Sequence, residues 1–138
     1  MPYPEMLVAP MRAELTNQGF QELKSAEEVA AAMQTNDDTA LVVVNSVCGC
    51  AAGTCRPGVL KSLQGDKKPA KLFTVFAGQD LDATAAAREY MMPYPPSSPA
   101  IALFKGQELV AMIERHNIEG RSAEMIADAL QGAYAEHC

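Results

Sequence analysis

Apolar residues along the chain follow two periodicities, one typical of strands and one typical of helices. Residues 41–44, Leu-Val-Val-Val, form a short and mostly β-branched run between polar positions. Such a run is typical of a strand that is buried on both faces of a sheet. Residues 72–76 and 100–104 are also predicted strands, and a turn at 105–107 predicts a hairpin with a last strand at 108–113.

In the segments between these strands, apolar residues recur at helical spacing. Ser25 and Glu28 predict a capping box that opens a helix. The other predicted helices are 3–16 with a start near Ala9 or a kink at Pro10, one from Asp80 or Asp82 to Tyr90, and 123–136 after Ser122. With a weak strand at 20–23, the order is close to β-α-β-α-β-α-β-β-α. It predicts a small sheet covered by helices, with a parallel strand pair around residues 41–76.

The most chemically informative segment follows the central strand. Asn45-Ser46-Val47 ends the strand, and Cys48-Gly49-Cys50 begins a helix that should reach about Leu63 with a kink at Pro57. Free N–H groups and the macrodipole at a helix N-terminus stabilise a thiolate, and they lower cysteine pKa values to roughly 3.5–7.5. Cys48 is therefore the candidate nucleophile. The alternative is a buried structural cysteine that happens to end a strand.

Composition limits the classes of function. The 138 residues predict one domain, residues 1–138, and the net charge of −6, with no basic cluster longer than Lys67-Lys68, argues against nucleic-acid binding. No apolar run approaches the ~20 residues that cross a bilayer, and no secretory pattern is present, so we expect no membrane association and a cytoplasmic location. Disulfides are rare there, so clustered cysteines indicate catalysis, redox sensing or metal binding.

With the cysteine motif at the first crossover helix, the element order resembles the thioredoxin fold. That resemblance implies an α/β fold with a central mixed sheet flanked by helices. Pro57 resembles the proline of the kinked active-site helix, and Ser98-Pro99 before the hairpin resembles the cis-proline loop. The resemblance implies that the Ser98–Pro99 bond is cis and that its backbone lies against Cys48 to bind thiol substrates. Gly49 has no side chain, so a substrate sulfur can approach there.

Longer motifs resemble a narrower family, the bacilliredoxins. They are PMRAELTNQGF at 10–20, VVVNSVCGCAAG at 42–53, TVFAGQD at 74–80, PSSPAIALFKG at 96–106 and AEHC at 135–138. The resemblance implies a thiol–disulfide oxidoreductase that reduces mixed disulfides between protein cysteines and bacillithiol. It places the nucleophile at Cys48 and the second cysteine at Cys50. It also implies no bound cofactor, bacillithiol as co-substrate, and bacillithiolated or otherwise S-thiolated cytosolic proteins as partners.

The C-x-C spacing favours exchange with a small thiol. Side chains two positions apart on a helix do not face one another, so a Cys48–Cys50 disulfide would close a small, strained ring. A disulfide isomerase or weak dithiol reductase using these two cysteines remains an alternative, because a strained disulfide is comparatively oxidising.

Other residues carry lesser predictions. Cys55 departs from the family pattern and is a candidate auxiliary thiol, and Arg56 either steers an anionic thiol or is solvated. A metal-binding module remains the other alternative, with Cys48, Cys50 and Cys55 joined by Cys138 or His137. Zinc sites usually use a second cysteine pair, which the sequence lacks, so no metal site is assigned. His116 and His137 are predicted surface residues, and Cys138 a frayed terminal thiol.

Overall fold

The computed structural model describes residues 3–138, so the first two positions of the predicted domain, 1–138, lie outside the described residues. Its helices are α1 (Glu5–Thr16), α2 (Ala26–Gln34), α3 (Arg56–Ser62), α4 (Leu81–Tyr90), α5 (Arg115–Ile118) and α6 (Ala123–His137), and a π-helical turn, Ala51–Cys55, precedes α3. Its strands are β1 (Gln21–Glu22), β2 (Thr39–Asn45), β3 (Lys71–Phe76), β4 (Ala100–Lys105) and β5 (Glu108–Ile113).

The strands form one mixed sheet in the order β1-β3-β2-β4-β5. β2 is the central strand, parallel to β3 and antiparallel to β4, and β4 continues through a tight turn into antiparallel β5. This arrangement confirms the predicted parallel pair, the predicted hairpin and the predicted fold class, a mixed sheet flanked by helices. Because β2 is the central strand, the turn after its last residue, Asn45, leaves the sheet at the middle of the end where β2 and β3 finish.

Alternate residues of β2 enter two separate apolar clusters, as the pleat of a strand requires. Val42 and Val44 pack in the cluster that includes residues of α2 and α4, whereas Leu41 and Val43 pack in the cluster that includes residues of α1, α3 and α6. All four side chains are buried, which confirms the prediction of a strand covered on both faces. The second cluster supports the helix that follows the cysteine motif.

Helix ends follow the sequence with some corrections. Ser25 Oγ accepts a hydrogen bond from Glu28 N, as in the predicted capping box. The Glu28 carboxylate, however, accepts from the N–H of Lys24, the residue before the N-cap, and not from the N–H of Ser25. Ser122 caps α6 as predicted. The Asp80 carboxylate does not cap α4, since it binds the buried Arg12 guanidinium at 2.7 Å.

The predicted start of α1 near Ala9 is wrong. α1 begins at Glu5 and contains Pro10, and the buried side chains of Val8 and Arg12 hold the helix in place on both sides of that proline.

The helix after the cysteines is also less regular than predicted. It begins with the π-helical turn, and regular α3 begins at Arg56. It ends at Ser62 with Leu63 as its C-cap, which agrees with the predicted end at about Leu63. Pro57 therefore lies in the first turn of α3, directly after the π-helical turn. Within residues 3–138, none of the helices has the length and apolar composition needed to cross a membrane.

Candidate active site

Cys48 lies at the start of the helical segment that follows β2. Its carbonyl oxygen accepts hydrogen bonds from Ala51 N at 3.0 Å and Ala52 N at 3.3 Å, so helical bonding begins at this residue. Its own N–H donates to Ser46 Oγ at 3.1 Å, which fixes the turn that leads out of the sheet. The thiol is half-buried and the adjacent Gly49 is exposed. These contacts confirm the predicted position of Cys48 at a helix N-terminus.

The sulfur atoms of Cys48 and Cys50 are 2.7 Å apart. The expectation that the two side chains do not face one another is therefore wrong. It treated both residues as positions inside a helix, whereas Cys48 precedes the first helical turn and its side chain is free to turn toward Cys50. The two thiols form a hydrogen-bonded pair, and a proton can be shared between them.

Their surroundings shift the two thiol pKa values in opposite directions. The hydrogen bond from the Cys50 thiol and then the Cys50 backbone N–H lower the pKa of Cys48, and the positive charge of Arg115 adds to that effect. Burial and then the neighbouring Cys48 raise the pKa of Cys50. The pair therefore favours a thiolate at Cys48 and a protonated, hydrogen-bond-donating thiol at Cys50.

Arg115 is a site residue that sequence reasoning missed. It is the first residue of the short helix α5, and its Nη2 donates to Cys48 Sγ at 3.2 Å. Its side chain is 44% exposed and forms an ion pair with Glu119 one turn later. The local signals were Glu114 and Asn117, which form a capping box, and the i,i+4 pair of Arg115 and Glu119. They predict a helical turn, but they do not indicate that a residue 67 positions from Cys48 reaches its sulfur.

The proline loop before β4 is joined to the cysteines through the same arginine. The Ser98–Pro99 bond is cis, as the sequence resemblance implied, and Pro99 is buried. Arg115 Nη1 donates to the Ser98 carbonyl at 3.0 Å, and Arg115 N donates to Ser97 Oγ at 3.3 Å. Arg115 thus contacts both the loop and the nucleophile candidate. Gly49 has open space where a side chain would begin. The substrate-binding roles of Gly49, Ser98 and Pro99 stay predictions.

Arg56 has neither of its predicted roles, because its side chain is 1% exposed. Its Nη1 donates to Asn45 Oδ1 and to the Ser46 carbonyl, both at 2.9 Å. Its Nε lies 3.0 Å from Glu14 Oε1 in an ion pair, without the alignment of a hydrogen bond. Since Ser46 in turn holds the Cys48 N–H, this buried guanidinium supports the turn beneath the thiol.

Cys55 lies in the apolar core between the sheet and α6 and is completely buried. Burial raises the pKa of its thiol to about 12. A thiol without solvent access and with a raised pKa is poorly suited to the auxiliary role considered for it.

The remaining candidates lie away from the thiol pair or at the surface. Cys138 is exposed but not frayed, because its N–H donates to Tyr134 O at 2.8 Å. His116 is exposed, as predicted, and His137 is partly covered. Across residues 3–138, no three cysteine, histidine or carboxylate side chains come together in a group that could hold a metal ion. The metal-binding alternative thus has no preformed site in this part of the chain.

Comparison with solved structures identifies the fold. Mitochondrial thioredoxin 3 from Saccharomyces cerevisiae, in its oxidised form, superposes with a TM-score of 0.55 at 16% identity, over 86% of this chain and 96% of that one. The chain therefore has the thioredoxin fold, and its hydrogen-bonded thiol pair lies at the start of the helical segment that follows the central strand.

Sequence comparison is more specific. A family model described as "Disulphide isomerase" matches residues 3–138. A bacilliredoxin of Cytophaga hutchinsonii is 62% identical over 97% of this chain and 98% of its own length, and a bacilliredoxin of Halalkalibacterium halodurans is 55% identical over 99% and 94%. The chain belongs to the bacilliredoxin family and is a thiol–disulfide oxidoreductase of the thioredoxin fold.

Proposed function

We propose that this enzyme removes bacillithiol from S-bacillithiolated proteins through Cys48, with bacillithiol as co-substrate and no bound cofactor. The observation that carries the proposal is the half-exposed Cys48 sulfur, which receives hydrogen bonds from Cys50 and Arg115. A thiolate is the reactive form of cysteine, and a thiol of low pKa is also a good leaving group. The names of the relatives support bacillithiol as the small thiol. The cytoplasmic location stays a prediction.

The reaction is an exchange of thiolates. The Cys48 thiolate attacks the bacillithiol sulfur of the mixed disulfide, a Cys48–bacillithiol disulfide forms, and the protein substrate leaves as a thiolate. A second thiolate then resolves this adduct by one of two routes. Cys50 attacks the Cys48 sulfur, which forms the Cys48–Cys50 disulfide and releases bacillithiol as a thiolate, or another bacillithiol molecule attacks the bound bacillithiol sulfur, which forms bacillithiol disulfide and releases the Cys48 thiolate. Electrons are conserved, because one disulfide is broken for each disulfide formed. Cys50 can supply a proton to the first leaving thiolate, since its own thiol is kept protonated.

Mass spectrometry after mixing with an S-bacillithiolated protein tests this proposal. Wild type and Cys50→Ala should both acquire one bacillithiol on the peptide that contains Cys48, and Cys48→Ala should acquire none. In Cys50→Ala the adduct should accumulate if Cys50 is the resolving thiol, and its lifetime should be unchanged if external bacillithiol is. Transfer that persists in Cys48→Ala would contradict the assignment of the nucleophile.

The second candidate function is disulfide isomerisation or weak dithiol reduction by Cys48 and Cys50. The 2.7 Å separation of their sulfurs favours it, because an intramolecular disulfide needs little movement. Equilibration of the reduced enzyme in glutathione redox buffers separates the two functions. Exclusive mixed disulfides support removal of bacillithiol. A reversible Cys48–Cys50 bond with a measurable potential supports isomerisation or dithiol reduction if the enzyme also rearranges or reduces protein disulfides that carry no bacillithiol. A thiol analysis of the host, to establish whether it makes bacillithiol, complements this experiment.

A further inference from the structure

Arg115 uses the two edges of its guanidinium for different partners. Nε pairs with Glu119, whereas the terminal nitrogens face the site and bind the Ser98 carbonyl and the Cys48 sulfur. Hydrogen bonding to Glu119 and the nearby thiols raise the pKa of Arg115, so the group remains a cation throughout the reaction. Its side chain is 44% exposed, so a ligand in solvent can reach it.

The charge opposite these terminal nitrogens changes during the exchange. In the reduced enzyme they face a thiolate, and that contact is a charge-assisted hydrogen bond. Once Cys48 forms a mixed disulfide, its negative charge departs with the leaving thiolate or, if Cys50 gives up its proton, passes to Cys50. The Cys48 sulfur that Arg115 contacts is then neutral and a weak acceptor, so the arginine has no anionic hydrogen-bond partner on its site-facing edge. The newly attached small thiol lies beside it.

We propose that Arg115 is the binding subsite for a carboxylate of the small thiol on Cys48, so that the enzyme selects anionic low-molecular-weight thiols over neutral and cationic ones. The fork of a guanidinium matches a carboxylate in geometry as well as charge. The open space at Gly49 leaves room for a thiol next to Cys48. The chain has a net charge of −6, so a local cation is needed to favour an anionic partner. Arg56 cannot serve, because it is buried.

This inference rests on the proposed function only in requiring that a small thiol occupies Cys48. The test measures how fast Cys48 acquires a small thiol from mixed disulfides of one reporter peptide with 3-mercaptopropionate, 2-mercaptoethanol or cysteamine. These probes are anionic, neutral and cationic. The quantity of interest is the anionic-to-neutral rate ratio, with each variant's ratio divided by that of wild type. This division cancels the intrinsic reactivity of each probe and any change in the amount of Cys48 thiolate.

Arg115→Gln should lower the anionic-to-neutral ratio by about threefold to fivefold, as expected for loss of one exposed ion pair, and raise the cationic-to-neutral ratio. Arg115→Lys should retain most of the preference, because the charge remains. The matched control is Lys105→Gln, which also removes one positive charge. Lys105 is exposed and pairs with Thr39 at the start of β2, at the other end of that strand from Cys48. The rate ratios of Lys105→Gln should therefore equal those of wild type.

A salt series on wild type tests the same point without any variant. The preference for 3-mercaptopropionate should fall as NaCl rises from 0.05 to 0.5 M, because exposed charge pairs are screened. Rates that fall equally for all three probes in Arg115→Gln, with the ratios unchanged, would overturn the subsite and leave Arg115 acting on the Cys48 thiolate alone. Failure of the proposed function is a different result, namely a charge preference among these probes without transfer of bacillithiol.

Discussion

The molecule contains two cysteine–arginine pairs, Cys48 with Arg115 and Cys55 with Arg56, and burial separates their chemistry. In the exposed pair, hydrogen bonds dominate and the pKa of Cys48 is lowered. In the buried pair, desolvation outweighs the positive charge of Arg56, and the pKa of Cys55 rises to about 12. A nearby arginine therefore does not by itself make a cysteine reactive. The thiolate also needs hydrogen-bond donors and access to water.

The two arginines differ in the same way. Arg56 donates hydrogen bonds to Asn45 and Ser46 in the interior, where no water can take the place of its guanidinium. It therefore fixes the position of the turn before Cys48. Arg115 touches the sulfur itself and remains accessible, so its contribution is to charge. Substitutions at the two pairs should consequently change different properties, stability at the buried pair and thiol reactivity at the exposed one.

The largest contrast should appear in alkylation of the reduced protein by iodoacetamide. As pH rises from acid toward neutral, Cys48 should react first, and Cys55 should react about a thousandfold more slowly, because its labelling requires local opening of the core. Peptide-by-peptide mass spectrometry over a pH series measures both rates, with the exposed Cys138 as an internal reference. If Cys55 or Cys138 reacts as early as Cys48, the nucleophile has to be reassigned.

Arg56→Met should lower the free energy of unfolding by about 3 kcal/mol, because Asn45 Oδ1 and the Ser46 carbonyl lose their buried donor. The same substitution at the exposed arginine, Arg115→Met, should change stability by less than about 0.5 kcal/mol. Urea denaturation of both reduced variants measures the difference. Equal losses of stability would show that the distinction between a buried support and an exposed charge is wrong.

Cys55 should also make the fold sensitive to alkaline pH. Its folded pKa of about 12 exceeds the reference value of 9.0, so between these values the unfolded chain loses the proton first. Unfolding then releases a proton, and stability falls with rising pH by at most about 1.4 kcal/mol per unit. Unfolding curves at pH 8 and 10.5 measure how far the free energy of unfolding falls between these pH values. The fall should be smaller in Cys55→Ala than in wild type. An identical loss would mean that Cys55 ionises normally in the folded protein.

The smallest effect should be that of Arg115→Gln on Cys48 itself. Removing the cation raises the pKa of Cys48, so alkylation at mildly acid pH should slow by about threefold to fivefold and recover at alkaline pH. The hydrogen bonds from Cys50 remain, and they are the larger cause of the lowered pKa. Arg56→Met provides the comparison. A shift in its pH profile as large as that of Arg115→Gln would mean that the buried arginine also acts through charge.

Local features of this protein could be predicted from the sequence, because short-range physics produces them. The apolar run at residues 41–44 specifies a buried strand in any sheet, and the Gly106 turn joins β4 to β5 over a few residues. A cysteine directly after a strand and before a helix meets free N–H groups wherever that helix packs. The strand, the hairpin and the place of Cys48 were predicted for these reasons.

Only the tertiary structure decided which charged groups meet the thiols. Arg56 is next to Cys55 in sequence, yet packing of α1 and α3 encloses its guanidinium with Glu14 and Asn45. Arg115 is 67 residues from Cys48, and the antiparallel pairing of β4 and β5 returns the chain to the cysteine end of the sheet. Hydrogen bonds and charges act over a few ångströms, and sequence separation does not report such distances.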